Sequence, residues 1–393
     1  MLTVTPGTES HAPMASSPTS AVRRQCLMDL LGLIKDPRRR RGRQYRLVGL
    51  LAVSVAAAIA GASSFTAIAQ WARNAGEEVL AALGADRGPA EESTFRRVLS
   101  KVDPDRLDTL LGLWLWTRTT RVADRLVIAI DGKTVRGAKA AGGKAPHLVA
   151  ALVHGLGTVI GQTAVDDKSN EIPTVRDLLR RMVTTGIELA GAVITLDAMH
   201  TQTETAGLIR AMGADYVMCV KGNMPSLHRR LKKTIPWSKI PASVTDDASH
   251  GRKTKRSLKI VQAPEWIDFP DTAQIAQIRR TRTVKNTKTG KTKTTWEVVY
   301  LITSASPKAA PPQVLATWIR EHWHVENRLH WVRDVTYGED KSLIRTANAP
   351  RVMATIRSTA ISLLRLDGAT NIKKANRDHA RFPERTLALI ETA

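Results

Sequence analysis

The sequence predicts an α/β protein in which an all-helical region precedes a region that contains a sheet. Between residues 25 and 117, apolar residues recur at helical spacing. From residue 125 to 223, short runs rich in Val, Ile and Leu alternate with helical segments. A basic stretch of β character, 224–305, then separates this part from two more helical patterns. We therefore expect an α/β domain with a β-rich insertion, preceded by an all-α N-terminal domain.

The same patterns divide the chain of 393 residues into successive segments. The first is rich in Ser, Thr, Pro and Ala, a composition typical of disorder. The predicted segments are a disordered lead-in at 1–24, a helical domain at 25–117, an α/β domain in two parts at 120–223 and 306–370, a β-rich insertion at 224–305, and a loose basic tail at 371–393.

The charge balance points to a polyanionic partner. Lys and Arg number 59 and Asp and Glu number 36, which gives a net charge of +23. Such an excess bears on partners rather than on fold, and nucleic acid is the usual partner of a chain this basic. The alternative is a soluble enzyme whose surface is merely basic.

Cysteine usage and hydropathy indicate a cytoplasmic protein without a membrane partner. Cys26 and Cys219 lie far apart and lack metal-ligand spacing, which argues against a disulfide framework or a zinc finger. The N-terminus lacks the layout of a signal peptide. The apolar stretch 47–62 is shorter than the roughly 20 residues that a membrane span needs, so we expect a buried helix there.

Two predicted strands end in acids. "RLVIAI" runs directly into Asp131, and "GAVITL" runs into Asp197. If these strands are neighbours in the sheet, the two carboxylates lie side by side and repel each other. A divalent cation would relieve the repulsion, and oxygen ligands of this kind suit Mg²⁺ or Mn²⁺. We therefore expect a metal site shared by the two acids.

The predicted helix 311–333 offers a third ligand. Glu326 lies at the edge of its apolar stripe, in a polar line with His322, His330 and Arg333 at steps of four, four and three. That line either borders an active site or is an ordinary surface stripe. A zinc site built on His322 and Glu326 lacks a third ligand.

Other acids compete for the same role. Asp166 and Asp167 precede the helix predicted at 173–186, and we interpret them as loop residues.

Three carboxylates on an α/β sheet in so basic a chain favour two-metal phosphodiester chemistry. In that chemistry one ion activates the nucleophile and the other stabilises the leaving oxygen. The chain contains no P-loop pattern, which argues against ATP-driven work.

Two basic stretches are predicted to contact DNA. The run "PRRRRGR" at 37–43 is either a loop lying along phosphates or a solvated face, and Asn286 to Gly290 looks like the turn of a basic hairpin. The predicted DNA contacts are Arg38, Arg39, Arg40, Arg41, Arg43, Lys133, Arg279, Arg280, Arg282, Lys285, His322 and Arg333.

Several motifs in order resemble those of bacterial DDE insertion-sequence transposases, in the branch that includes the H-repeat-associated proteins. The resemblance covers roughly residues 25–366. The matching stretches are "DPRRRRGRQYRLVGLLA", "SSFTAIAQWA", "ESTFRRVL", "AIDGKTVRG", "KSNEIP", "TLDAMHTQ", "VKGN" and "HWHVENRLHWVRDVTYGED".

This resemblance implies an RNase H-like catalytic domain interrupted by a β-rich insertion, and a helical DNA-binding domain before it. It also implies a catalytic, metal-binding triad at Asp131, Asp197 and Glu326, holding two Mg²⁺ or Mn²⁺ ions. The wider group carries a Tyr, Arg and Lys around its Glu, where this chain has Ile319, His322 and Arg333. The roles of those flanking positions therefore stay open.

A protein of this family would bind the terminal inverted repeats of its element, cut there and join the ends to target DNA. It would act in the bacterial cytoplasm, at the nucleoid when bound, and the resemblance leaves room for a homodimer on DNA. Two other hypotheses remain open: a catalytically inactive relative that only binds DNA, and a metal-dependent nuclease without strand transfer.

Overall fold

The structure is a computed structural model of the chain. It describes residues 26–119, 125–139, 144–166, 169–249, 252–285 and 290–392. The lead-in predicted at 1–24 and most of the predicted hairpin turn, 286–289, lie outside these ranges.

The elements described between residues 26 and 119 are helical, as the apolar spacing predicts. Local sequence fixes two of the helix starts: Ser64 accepts a hydrogen bond from the Ala67 amide, and Asp103 accepts from the amides of Asp105 and Arg106. The helices are α1 (Leu27–Gly32), α2 (Leu47–Ile59), α3 (Phe65–Asn74), α4 (Glu77–Ala82), α5 (Glu92–Leu99) and α6 (Pro104–Trp116).

A mixed sheet of nine strands occupies the described part of the chain from Val127 to Thr303. Its spatial order is β3-β2-β1-β4-β5-β9-β8-β7-β6. The strands are β1 (Val127–Thr134), β2 (His147–Val153), β3 (Val159–Ala164), β4 (Val193–Leu196), β5 (Asp215–Val220), β6 (Ser243–Ser249), β7 (Arg252–Gln262), β8 (Gln274–Lys285) and β9 (Thr292–Thr303).

The register at the centre of the sheet decides where the strand-end acids lie. β1 and β4 are parallel neighbours, and Ile130 pairs with Leu196. Asp131 of β1 and Asp197, directly after β4, therefore lie at neighbouring positions on adjacent strands. β2 runs antiparallel to β1, and β5 runs parallel to β4.

Helices cover both faces of this sheet. One face packs against α7 (Glu171–Thr184) and α8 (Thr203–Ala211), whose apolar residues join those of β1, β2 and β4 in one core. The opposite face packs against α10 (Pro312–His322) and α11 (Ala349–Leu366). Residues 171–184 agree with the helix predicted at 173–186.

The β-rich stretch continues the central sheet. After α9 (Pro225–Thr234), strands β6 to β9 form an antiparallel meander, and β9 pairs with β5 through Val217–Thr303 to Val220–Tyr300. We call β7, β8 and β9 the arm. Because the arm shares a ladder with β5, its strands run directly to the edge of the segment that carries the acids.

The helix predicted at 311–333 changes character midway. α10 ends at His322, and the chain continues in wide π turns over Val325–His330 and Val332–Thr336. π turns are rare and occur often at functional sites. Glu326 lies in the first of these turns.

The C-terminal segment is folded, so the expectation of a loose tail is wrong. Residues 372–392 form α12 (Ile372–Arg381) and α13 (Pro383–Thr392). Ile372, Leu389 and Ile390 are buried in the core that also contains α2, α6 and α11. A basic composition concealed this, since three apolar side chains are enough to dock two short helices.

The apolar stretch at 47–62 is the buried helix α2, all but one of whose residues are buried. In the ranges that the structure describes, no helix is both long enough and apolar enough to cross a membrane.

Candidate active site

Asp131, Asp197 and Glu326 line one open cleft. Asp131 occupies a position of β1 where side chains face α10 and α11, and Asp197 comes directly after β4. Glu326 approaches from the first π turn after α10. The cleft holds about 880 Å³ of space, part of it open to solvent. Its apolar wall comes from the sheet, through Val217, Val299, Leu301 and Ile278.

A fourth acid in the cleft is one that the sequence analysis missed. Glu297 of β9 lines the same cleft and lies 3.9 Å from the Arg280 guanidinium. It sits inside a basic strand of unremarkable pattern, so only the pairing of β9 with β5 brings it there. Asp166 is exposed and does not line the cleft, and Asp167 lies outside the described residues.

The surroundings of Asp131 disfavour its ionised form. Burial raises the pKa of its carboxyl to about 6, and the negative charges of Glu171 and Asp197 act in the same direction. The Gly132 amide donates a hydrogen bond that opposes the shift. The Nδ1 atom of His330 lies 3.6 Å from the Asp131 carboxylate. Burial lowers the pKa of His330 to about 3, so this ring is neutral near pH 7.

The turn after Asp197 is held by the "VKGN" stretch. The Asn223 side-chain amide donates to the carbonyls of Ala198 and Thr201, and its oxygen accepts from the Lys221 amide. The Lys221 ammonium lies 3.9 Å from the Asp197 carboxylate. The motif therefore fixes the turn that carries the acid and supplies a nearby positive charge.

The donors in the cleft have the right chemistry for a hard divalent cation. Asp131 and Asp197 are close enough for their charges to interact, and carboxylate oxygens are the preferred ligands of Mg²⁺ and Mn²⁺. In the described ranges, however, no three His, Cys, Asp or Glu side chains converge on one coordination point. Glu326 borders the cleft without closing such a cluster.

His322 belongs to a buried hydrogen-bonded row beside the cleft. Its Nδ1 lies 2.9 Å from the Thr195 hydroxyl, which also contacts His154 Nε2 at 3.2 Å. Burial lowers the pKa of His322 to about 4. His322 lines the cleft as a neutral ring, so it carries no positive charge with which to bind a phosphate.

Lys133 and Arg333, both predicted to contact DNA, are buried in ion pairs instead. Lys133 is 8% exposed, and its ammonium lies 2.6 Å from Asp334 and 3.6 Å from Asp340. Arg333 is fully buried against Glu339 at 2.8 Å. Sequence spacing placed Arg333 in a polar line, but it did not show that acids of the π turn and of the segment after it would pair with both cations.

The N-terminal basic run divides in the same way. The Arg38 guanidinium is bound by Asp36 at 2.8 Å and by the carbonyls of Tyr45 and Gly42, and its side chain is only 9% exposed. Arg43 is more exposed but also bonds back, to the carbonyls of Arg38 and Asp36. The run's exposed residues also include Arg39, Arg40 and Arg41.

The predicted arm residues lie on two faces. Side chains alternate along a strand, so Arg280 and Arg282 share the face of Ile278, which lines the cleft. Arg279 and Lys285 point to the other face, where Arg279 lies over the exposed Trp296 ring at 5.3 Å. Register adds to the cleft face three cations that the sequence analysis did not select, namely Arg252, Arg256 and Lys293.

Comparison with known proteins gives two family matches along the chain. Residues 28–115 match the family described as DDE_Tnp_1-associated, and residues 123–363 match the Transposase DDE domain. The second match spans more than half of the chain and contains all three candidate acids.

Relatives in Escherichia coli match over most of their length. "Putative transposase YncI" of strain O157:H7 is 32% identical over 87% of this chain and 87% of its own. "H repeat-associated putative transposase YhhI" of strain K12 is 31% identical over 87% of this chain and 90% of its own. Among solved structures, a synaptic complex of piggyBac transposase with hairpin DNA aligns over 96% of this chain and 79% of that one, with 12% identity and a TM-score of 0.42.

The domain matches and the E. coli relatives agree with each other and with the motifs that carry the acids. The chain therefore belongs to the family of transposases with a DDE domain, among the relatives of the H repeat-associated proteins.

Proposed function

We propose that this protein binds the terminal inverted repeats of its element, cleaves the DNA there and joins the ends to target DNA, with Asp131, Asp197 and Glu326 as its catalytic acids. The observation that carries the proposal is their presence in one cleft, although they lie far apart in the chain. The strand order β3-β2-β1-β4-β5, with β1, β4 and β5 parallel, supports an RNase H-like catalytic unit.

Asp131 and Asp197 would hold a divalent cation together, and Glu326 would complete its ligand set from the π turn. Mg²⁺ or Mn²⁺ supplies Lewis-acid activation of a nucleophilic oxygen and stabilisation of the leaving oxygen when bound. The chain's own part is to place the two carboxylates side by side. Burial is the main cause of the raised pKa of Asp131 and the neighbouring charge of Asp197 adds to it, so a cation bound here would favour the ionised form.

One DNA contact is proposed in the N-terminal helical region. A groove between the 37–45 loop and α5 is lined by Arg39, Arg41, Arg97 and Lys101, with no acid among its lining residues. Such a concentration of cations suits a phosphate backbone, which fixes position without reading sequence. The associated family domain spans this groove.

A second DNA contact is proposed along the cleft face of the arm. Arg280 lines the cleft, and Arg282, Arg256, Arg252 and Lys293 continue the same face toward the free end of the strands. A duplex entering the cleft would therefore meet cations along its flank. Their spacing along the strands suits successive phosphates rather than a single anion.

The test compares two acids of the same cleft. Glu326→Gln keeps the side-chain shape and removes one negative charge, so it should lower cleavage and joining in Mg²⁺ by more than roughly 100-fold, beyond the usual effect of an outer-shell residue. Binding to a duplex carrying the element end should stay close to wild type, because the proposed contacts are Lys and Arg elsewhere.

Glu297→Gln is the matched control, an identical change on the other side of the cleft. It should leave cleavage within about tenfold of wild type, the range of modest outer-shell effects. If Glu326→Gln cleaved at a normal rate and Glu297→Gln did not cleave, the third acid would be Glu297 of β9. Cleaved ends that are never joined would instead identify a nuclease, and binding without cleavage by the wild-type chain would identify an inactive relative.

A further inference from the structure

Behind the cleft, on the opposite face of the sheet, lies a cluster that the proposed chemistry does not use. It consists of Glu171, the first residue of α7, together with His147 of β2 and His200 of the turn after Asp197. None of the three lines the cleft. Each is more than two-thirds buried at its side chain, at 16%, 28% and 1% exposure respectively.

The Glu171 carboxylate bridges two separate segments. Its Oε1 lies 2.6 Å from His147 Nε2, and its Oε2 lies 3.3 Å from His200 Nε2. His147 is oriented in turn by the Thr134 hydroxyl, 2.7 Å from its Nδ1. Burial opposes ionisation of Glu171, but its hydrogen bond with His147 and the nearby His200 ring outweigh that effect and hold its pKa at about 2. The group is therefore a carboxylate throughout the neutral range.

The same carboxylate also covers the residue after Asp131. A Cβ added to Gly132 would lie 2.5 Å from the Glu171 carboxyl carbon, so any side chain there would displace the carboxyl group. The Gly132 amide meanwhile donates to the Asp131 carboxylate. On the other strand, His200 lies one short turn after Asp197, and its amide donates to the Asp197 carbonyl at 3.0 Å.

We propose that Glu171 is a positioning residue that braces Asp131 and Asp197 from behind the sheet, by binding His147 and His200 across Gly132. The inference rests on the proposed metal-dependent function and adds an acid that lies outside the cleft. Removing the brace frees the Asp197 turn and the end of β1 together. The two acids then lose their common orientation while the cleft keeps its cations and its apolar wall.

The decisive measurement is Mn²⁺ binding by calorimetry on the full-length protein without DNA, since it reports the acids directly. Glu171→Ala should weaken Mn²⁺ binding by about 10- to 100-fold, as loss of an outer-shell partner typically does. Glu171→Gln, which keeps one hydrogen-bond acceptor, should fall between Glu171→Ala and wild type. Asp177→Ala, an exposed acid on the same helix, should bind like wild type.

A double-mutant cycle separates a brace from general damage to the fold. Gly132→Ala should weaken Mn²⁺ binding in the wild-type background, because the new methyl group displaces the Glu171 carboxyl. In the Glu171→Ala background the same substitution has room and should have little further effect. Such non-additivity is expected of groups that are in contact or belong to one shared network, and not of independent sites.

The outcomes are distinguishable. Additive effects of Gly132→Ala and Glu171→Ala, or wild-type Mn²⁺ binding by Glu171→Ala, would overturn the brace while leaving the metal site intact. A wild-type chain whose Mn²⁺ binding is absent, or is unaffected by Asp131→Asn, would overturn the proposed metal site and the brace with it.

Discussion

Two carboxylates in the same part of the molecule, Glu339 and Asp131, have neighbours of opposite charge. Glu339 is fully buried between two guanidiniums, with Arg333 at 2.8 Å and Arg357 at 2.9 Å. Asp131 has other carboxylates as neighbours, and the His330 ring that lies 3.6 Å from it is neutral near pH 7. The pKa of Glu339 is lowered by its cations despite its burial, whereas the pKa of Asp131 is raised.

The difference separates a carboxylate whose charge is compensated, Glu339, from one whose charge is not, Asp131. A buried carboxylate with two guanidiniums has no capacity left for a ligand, and it ties the π turns to α11. A partly buried carboxylate without a cation carries a cost that a metal ion would remove. The acids of "RDVTYGED" and "AIDGKT" can thus be assigned to a compensated or an uncompensated group only when the positions of the cations are known.

The largest effect is expected from breaking the compensated group. Glu339→Gln leaves two buried guanidiniums without their shared carboxylate, and removal of one partner from a buried ion pair typically costs about 3–5 kcal/mol. Urea denaturation should show a fall in stability of that order. Glu384→Gln, an exposed acid of α13, should stay within about 0.5 kcal/mol of wild type. Equal stability of the two variants would mean that the ion group contributes nothing.

A smaller effect is expected from cations, where the same contrast applies to Arg38 and its neighbours. Replacing Arg39, Arg40 and Arg41 together with Ala should weaken binding to all duplexes alike. The slope of log affinity against log salt should fall by about 2 to 3, close to one per phosphate contact.

Arg38→Ala is the control for that experiment, because its guanidinium is already bound to Asp36 and two carbonyls. It should lower thermal stability and leave the salt slope unchanged. A slope that responds to Arg38 as strongly as to each exposed arginine would show that the internal pairing gives way on DNA.

The smallest effect concerns Asp108 of α6, a third kind of carboxylate with hydrogen bonds but no direct cation. Burial raises its pKa to about 7, although Thr355 and Gln162 donate to it at 2.6 and 3.1 Å. The folded chain then holds a proton that the unfolded chain releases above about pH 4. The contribution of Asp108 to stability therefore falls as pH rises from about 4 to 7.

Asp108→Asn removes that titration and keeps an acceptor for both donors. Melting temperatures of wild type and variant should diverge in favour of the variant, by a few degrees, as pH rises from about 4 to 7. Parallel curves over this range would place the Asp108 pKa near its ordinary value.

Much of the fold follows from local sequence. The Val- and Ile-rich run before each strand-end acid and the 3.6-residue pattern after residue 173 predict β1, β4 and α7 near their observed positions, because burial of one face requires such patterns. The π turns are not predictable this way, since their apolar spacing imitates an α-helix. Docking of α12 and α13 depends on a tertiary groove that no local pattern reveals.

The candidate site was predictable in part. Asp131 and Asp197 stand out because each ends an apolar strand, and Glu326 stands out chiefly through the family motif. Glu171 lies inside the quoted "KSNEIP" stretch, but its meaning depends on His147 and His200, which come from two other elements. Lys133 and Arg333 were misassigned because a sequence shows that a residue is charged, and not whether its charge is already paired.

Helix α11 has a consequence for damaged copies of the gene. Most of its residues are buried, and they join the N-terminal helices, the sheet and the C-terminal helices in one core. A message cut short before codon 349 would encode every strand, every candidate acid and both basic surfaces, yet lack the piece that closes the core. Its product should be cleared by proteolysis instead of persisting as a folded competitor for DNA. Truncated copies would thus be silent rather than inhibitory.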